Sequence, residues 1–199
     1  MPRRTFTRLP VEERRRQLLE LGADLFARHS YDEISMARVA REAGISKPLL
    51  YHYFPRKQDF FLATLAQAAE QVRRLTEPPP GVAPAEALAV SLDAFLAWVG
   101  QHELAYRKLL ESAGSVPAVR TLVGDVRGRT AARILDGLGV TAPPPPRLRA
   151  AIHAWLWFLD GAIEDWLTHR DLTRTELRDF LLGALGGALD AAGGEVLLS

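Results

Sequence analysis

The chain has 199 residues, of which 48% are hydrophobic and 25% charged, with no cysteine and a net charge of +1. That composition fits one ordinary domain or two small ones with enough apolar material for a real core, and it argues against disorder throughout. The lack of cysteine excludes disulfides, zinc–thiolate sites, iron–sulfur clusters and cysteine nucleophiles. The charge is unevenly placed: residues 1–57 carry 12 Lys/Arg against 7 Asp/Glu, whereas residues 58–199 carry 13 against 17. A basic first part on a mildly acidic remainder predicts a polyanion-binding domain at 1–57 and a body at 58–199 with another task. The basic N-terminus has no apolar run behind it, so a secretory signal is not expected. No stretch of about 18 uncharged apolar residues occurs either, so no membrane span is expected and the cytoplasm is the expected location.

Taken in order, almost every segment reads as helix. Leu18, Leu21, Leu25 and Phe26 recur at helical spacing within Pro10–His29, with Glu12 and Glu13 in the first turn where the helix dipole favours anions. Ser35 has the chemistry of an N-cap for Met36–Ala43, and Gly44 that of its stop. Ser46 is a second cap, with Pro48 tolerated in the first turn of a short helix over Lys47–Tyr53. Phe54-Pro55 breaks that helix. A long helix is predicted for Arg56–Thr76, ended by Pro78-Pro79-Pro80-Gly81. Ala85–Val99 is apolar nearly all round and is expected to be central and buried. Glu103–Ser112, Pro117–Leu138, Arg147–His169 and Thr175–Ala192 complete the chain, with Pro143–Pro146 as a second breaker. No strand pattern and no internal repeat occur, so the fold class is all-α.

The stretch Ser35–Phe61 carries the most information. Two short helices meet at Ala43-Gly44-Ile45-Ser46, where glycine permits the left-handed backbone of a sharp reversal. Val39, Ala40, Ile45 and Leu50 are placed to pack the two together. The second helix opens with Lys47 and then shows Tyr51, His52 and Tyr53. This is the pattern of a helix-turn-helix, whose second helix enters the DNA major groove. Spacing alone fits an ordinary helical hairpin equally well.

The string itself resembles the N-terminal DNA-binding domain of the tetracycline-repressor-like (TetR) family of bacterial transcription regulators. The resemblance covers about Arg14 to Leu65. It rests on Phe26, on Ser35 before Val39-Ala40, on Ala43-Gly44-Ile45-Ser46, on Leu50-Tyr51-His52-Tyr53-Phe54, and on Lys57. Two positions depart from the family pattern: Ser30 precedes Tyr31 where glycine is common, and Leu49 follows Pro48 where threonine is common. The resemblance implies an all-helical homodimer of about nine or ten helices per chain. Three form the DNA-binding domain, a fourth joins it to a small-molecule-binding body, and the last two long helices dimerise.

On this reading Lys47 contacts base edges or phosphate, and Leu49 faces the groove, suited to a thymine methyl. Ser46 and Pro48 at the helix start count among the DNA-binding residues, Tyr51 and Tyr53 read as phosphate contacts or, for one of the two, as packed inside the domain, and His52 touches base or backbone. Lys57 resembles the family's phosphate-contacting lysine, with Ser35 and Arg38 as further backbone contacts. Arg3, Arg4 and Arg8 read either as an arm on the DNA or as a solvated tail.

In the body, Trp98, Tyr106, Arg127, His153, Trp157 and Asp160 are the candidate ligand-binding residues. The body's four tryptophans, Trp98, Trp155, Trp157 and Trp166, read either as core or as pocket wall, whereas His153, Trp157, Asp160 and Glu164 share one helix face that reads either as pocket wall or as a solvated or interface face. A largely apolar pocket predicts a hydrophobic or aromatic effector. Asp160 or Glu164 would favour a cation and Arg127 an anion. Gly183, Gly187 and Ala191 form a small-residue stripe suited to a helix–helix seam between two copies. No P-loop, GxGxxG, HExxH or GxSxG pattern occurs, and the five histidines form no ligand-like cluster, so neither a catalytic residue, a metal nor a cofactor is expected. The expected function is a repressor released from a near-palindromic operator by its effector. The alternative is a helical small-molecule-binding protein or an enzyme using the body pocket.

Overall fold

The computed structural model describes residues 10–140 and 143–193. Among these are nine α-helices and no strand: α1 Val11–Arg28, α2 Met36–Glu42, α3 Lys47–Tyr53, α4 Lys57–Leu75, α5 Pro84–Gln101, α6 Glu103–Ser115, α7 Pro117–Gly137, α8 Pro146–His169 and α9 Arg174–Ala191. The all-α expectation holds. The helices begin where local chemistry starts them. Ser35, Ser46 and Thr173 each accept a backbone N–H two or three residues into the helix that follows, and Thr173 forms a reciprocal capping box with Glu176. Proline opens α5, α7 and α8, where its missing N–H has no intrahelical role. Arg3, Arg4 and Arg8 lie outside the described residues.

The chain divides into two compact units, Met1–Ala68 and Ala69–Ser199. The division falls inside α4, beyond the 57/58 boundary expected from charge. The reason is packing: Phe60, Phe61 and Thr64 on the first half of α4 are buried against α1. Phe26 lies 4.4 Å from Phe61 and 5.8 Å from Phe60, ring centre to ring centre, and Phe54 closes on Phe60 at 5.0 Å. Around this aromatic cluster Leu18, Leu25, Ile34, Val39 and Leu50 are fully buried. A core of this kind holds two short helices, α2 and α3 of seven residues each, that would be marginal alone.

In the second unit α8 is the central element. Ile152, Trp155, Leu156, Leu159, Ile163 and Trp166 are buried along it, facing Leu177, Leu181, Leu185 and Leu189 of α9. The indole N–H of Trp155 donates to the Leu181 carbonyl and that of Trp166 to the Leu172 carbonyl, both at 2.8 Å, so both buried polar handles are satisfied. α5 packs on α9, α6 and α7. It buries Leu92, Leu96 and Val99, while Val90 is exposed, so it presents one face to the core rather than being enclosed. α8 ends at Arg170 in the left-handed region, φ 56°, with its guanidinium ion-paired to Glu103 and lying 5.0 Å over the Trp166 ring.

Candidate nucleic-acid interface and effector site

The turn between α2 and α3 sets the first site. The N–H of Ile45 donates to the Ala40 carbonyl at 3.0 Å and that of Gly44 to the Arg41 carbonyl at 3.2 Å. Gly44 sits at φ +65°, as this helix ending requires. The chain then leaves α2 at a fixed angle, and the Ser46 hydroxyl starts α3 by accepting from the Leu49 N–H at 3.3 Å. One residue ties α3 down: Leu50, 0% exposed. Most of its other side chains point outward. Lys47, Pro48 and His52 are exposed, as are Leu49 at 40% and Tyr51 at 39%, while Tyr53 is half-buried. The Lys47 ammonium lies 5.8 Å from the centre of the Tyr51 ring, and His52 meets Tyr53 edge-on at 5.7 Å.

The remaining candidates of this unit sit on other helices. Ser35 caps α2, its hydroxyl accepting from the Arg38 N–H at 3.2 Å. Arg38 is half-buried and already engaged: its Nε donates to Glu42 at 2.8 Å, and Nη2 lies 2.8 Å from Nε2 of His29. The hydrogen bond from Arg38 holds the Glu42 carboxyl below its ordinary range. Lys57 opens α4 with its ammonium 4.2 Å over the Tyr31 ring. Partial burial, then the charges of Asp32 and Asp59, push the Tyr31 hydroxyl up. Arg56 forms a two-pronged pair with Asp59, at 3.0 and 2.7 Å. Sequence reasoning missed His29 and Tyr31 as partners of Arg38 and Lys57. Glu42 was legible as the residue four along from Arg38, whereas His29 and Tyr31 belong to other segments and leave no local signal.

In the second unit the structure brings four of the six candidates together. The Tyr106 hydroxyl donates to one Asp160 oxygen at 2.7 Å, Arg127 is ion-paired to the other, and the Arg127 guanidinium lies 3.8 Å over the Trp157 ring. Tyr106 is 4% exposed, and burial, reinforced by the Asp160 charge, pushes its hydroxyl well above the usual tyrosine range. Trp157 is 65% exposed, so it is neither core nor the wall of an enclosed pocket. Trp155, two residues earlier, took the core position instead, since side chains two apart on a helix point to nearly opposite sides, about 200° round the axis. Trp98 stacks on His102 at 4.8 Å, and His153 is exposed on α8 one turn before Trp157. An open hollow of about 290 Å³ lies further along α8, lined by Gly161, Glu164, Asp165, Thr168 and His169. Among the described residues no group of His, Asp and Glu is placed to hold a metal, and no helix is long and apolar enough to cross a membrane.

A family model described as "Bacterial regulatory proteins, tetR family" matches residues 18–64, and one described as "Tetracyclin repressor-like, C-terminal domain" matches residues 84–185. The chain belongs to the tetR family. A solved TetR-family transcriptional regulator from Streptomyces coelicolor is 31% identical, with a TM-score of 0.81 over 93% of this chain and 84% of that one. The HTH-type transcriptional activator FasR of Mycolicibacterium smegmatis is 30% identical over 112 residues, which is 53% of this TetR-family chain. The HTH-type transcriptional regulator HbdR of an Aromatoleum strain is 34% identical over 76 residues, 34% of this chain. The matches span 49% of the length of FasR and 33% of that of HbdR.

Proposed function

We propose that this TetR-family chain is a DNA-binding transcriptional regulator that works as a homodimer in the cytoplasm and answers a small-molecule effector by leaving its operator. The observation that carries the reading is α3, which is anchored by Leu50 alone and offers Lys47, Leu49, Tyr51 and His52 outward behind a fixed turn. An α-helix presented this way fits the major groove with its N-terminal residues leading. Lys47 and Leu49 read bases. Tyr51, Tyr53, His52 and Lys57 hold the backbone, with Ser35 and Arg38 at the start of α2. Residues 1–57 supply the DNA-binding role and 58–199 the effector and dimer roles, with α4 belonging to both.

Two copies pair through the outward faces of α8 and α9. Phe158 and Phe180 are exposed there with ring centres 5.5 Å apart, beside Gly161, Gly183 and Gly187. Exposed aromatics rimmed by small residues favour close helix contact between subunits. The Tyr106–Asp160–Arg127–Trp157 cluster is the effector site, since it gathers oriented polar groups against an exposed indole. An effector that prefers the DNA-incompetent form shifts the population away from operator. The direction of control is set by the promoter, and the relative named an activator makes a reporter assay the measure of it.

Titrating the full chain against fragments of its own upstream DNA and against random DNA of equal length tests the reading. Retention of one fragment at salt concentrations that release random DNA is expected. Indistinguishable curves for all fragments would remove it.

A further inference from the structure

Arg127 occupies its corner as a ligand would. The central carbon of its guanidinium lies 3.8 Å from the centre of the Trp157 ring, and the group is ion-paired to a carboxylate that a tyrosine hydroxyl also bonds. A flat cation on an indole beside a carboxylate is a general mode of organic-cation recognition.

The two charged partners differ in how easily they can leave. Asp160 has a short side chain on the central helix and is fixed by buried Tyr106. An anion that captured Arg127 would strand that carboxylate, half-buried and uncompensated, at a large cost. Arg127 reaches across from α7 on a long flexible stem and would be hydrated on swinging out. A cation that captured Asp160 would therefore strand nothing. Glu164 adds to the same field: its charge is felt at the Tyr106 hydroxyl together with that of Asp160. The corner without Arg127 is thus doubly negative, with an open indole as its floor and solvent access along Trp157.

We propose that the Tyr106–Asp160–Trp157 corner is a site for a flat organic cation, which the chain's own Arg127 fills until the cation displaces it. This deepens the effector reading above and takes its regulatory meaning from it.

Benzamidinium, benzamide and benzoate share one shape and are positive, neutral and negative. Each is titrated calorimetrically into the full chain in the absence of DNA. Benzamidinium alone is expected to bind. Arg127→Met keeps the stem and removes the charge. It should tighten benzamidinium binding about tenfold or more, because a tethered competitor at roughly millimolar effective concentration is gone. Asp160→Asn added to Arg127→Met should abolish the gain while still accepting the Tyr106 hydroxyl. Should Arg127→Met fail to fold by circular dichroism, Arg127→Lys, a narrower competitor without the planar fork, is read by the same criterion with a smaller gain. Benzoate binding that is lost with Arg127, or benzamidinium binding that does not improve when Arg127 is replaced, overturns the proposal. Operator retention of the same proteins without probe is a separate readout. A chain that binds the cation as stated but ignores DNA keeps the site and loses the regulator reading, and the converse result loses only the site.

Discussion

Gly22 stands where α1 meets α4, and its missing side chain is a packing requirement. A Cβ built there would lie 2.5 Å from the Thr64 hydroxyl oxygen and 2.7 Å from Cζ of Phe60. Phe60 is 0% exposed and has no room to retreat. Helix propensity favours Gly22→Ala by about 1 kcal/mol, whereas forcing atoms into a filled core costs about 1–3 kcal/mol. The clash should win, so Gly22→Ala is expected to lower the urea midpoint, and less so in a Thr64→Ala background, where one of the two obstacles is gone. Tyr106 yields a second prediction at this scale. Its hydroxyl is raised in the folded chain above its ordinary value of 10.0, by burial and then by Asp160. The unfolded chain therefore loses that proton first, so the contribution is intact below pH 10 and declines above it. The decline is about 1.4 kcal/mol per pH unit for one group. Urea unfolding of wild type and Tyr106→Phe between pH 9 and 11 checks this: the steeper alkaline fall should belong to wild type alone.

At the scale of elements, the base contacts proposed for α3 and the phosphate contact proposed for the start of α4 are two kinds that mutagenesis can tell apart. Lys47→Ala and Leu49→Ala should change discrimination among operator variants by about 1–3 kcal/mol at the base pair each residue faces. Lys57→Ala should weaken binding to all sequences alike and reduce the salt slope by about one. Fluorescence-anisotropy titrations at several salt concentrations measure both, and equal effects of the three variants on operator and random DNA would count against the assignment. The helices were largely legible beforehand because their ends are written locally. Ser35, Ser46, Gly44 and the prolines mark starts and stops within a residue or two of where they fall. The side-chain constellation was not. Tyr106, Arg127 and Asp160 meet across separations of 54 and 33 residues, which no local pattern encodes. Helical periodicity also left Trp155 and Trp157 interchangeable, because α8 carries apolar residues on both its inward and outward faces.

For the whole molecule, the proposed dimer seam on the outward side of α8 and α9 is open to test. Among the described residues, a Cβ at Gly183 or Gly187 meets nothing within 4 Å. Gly187→Leu should therefore leave the folded subunit intact by thermal melt, shift sedimentation from dimer toward monomer, and weaken operator binding without altering α3. An unchanged dimer mass would move the seam elsewhere. Two-fold pairing would place recognition helices on successive major grooves about 34–36 Å apart and demand a near-palindrome. The way α3 is held then has a consequence for evolvability. Leu50 is the one residue of that helix that is fully buried, and the exposed positions 47, 49, 51 and 52 carry little of the packing that holds it. Surface changes of that sort alter folding by about 0.5 kcal/mol or less. In a dimer each acts on both half-sites at once. Target preference can therefore drift by single substitutions in a lineage that never passes through an unfolded intermediate, and duplicated copies of such a gene can part company in the DNA they recognise while sharing one unaltered body.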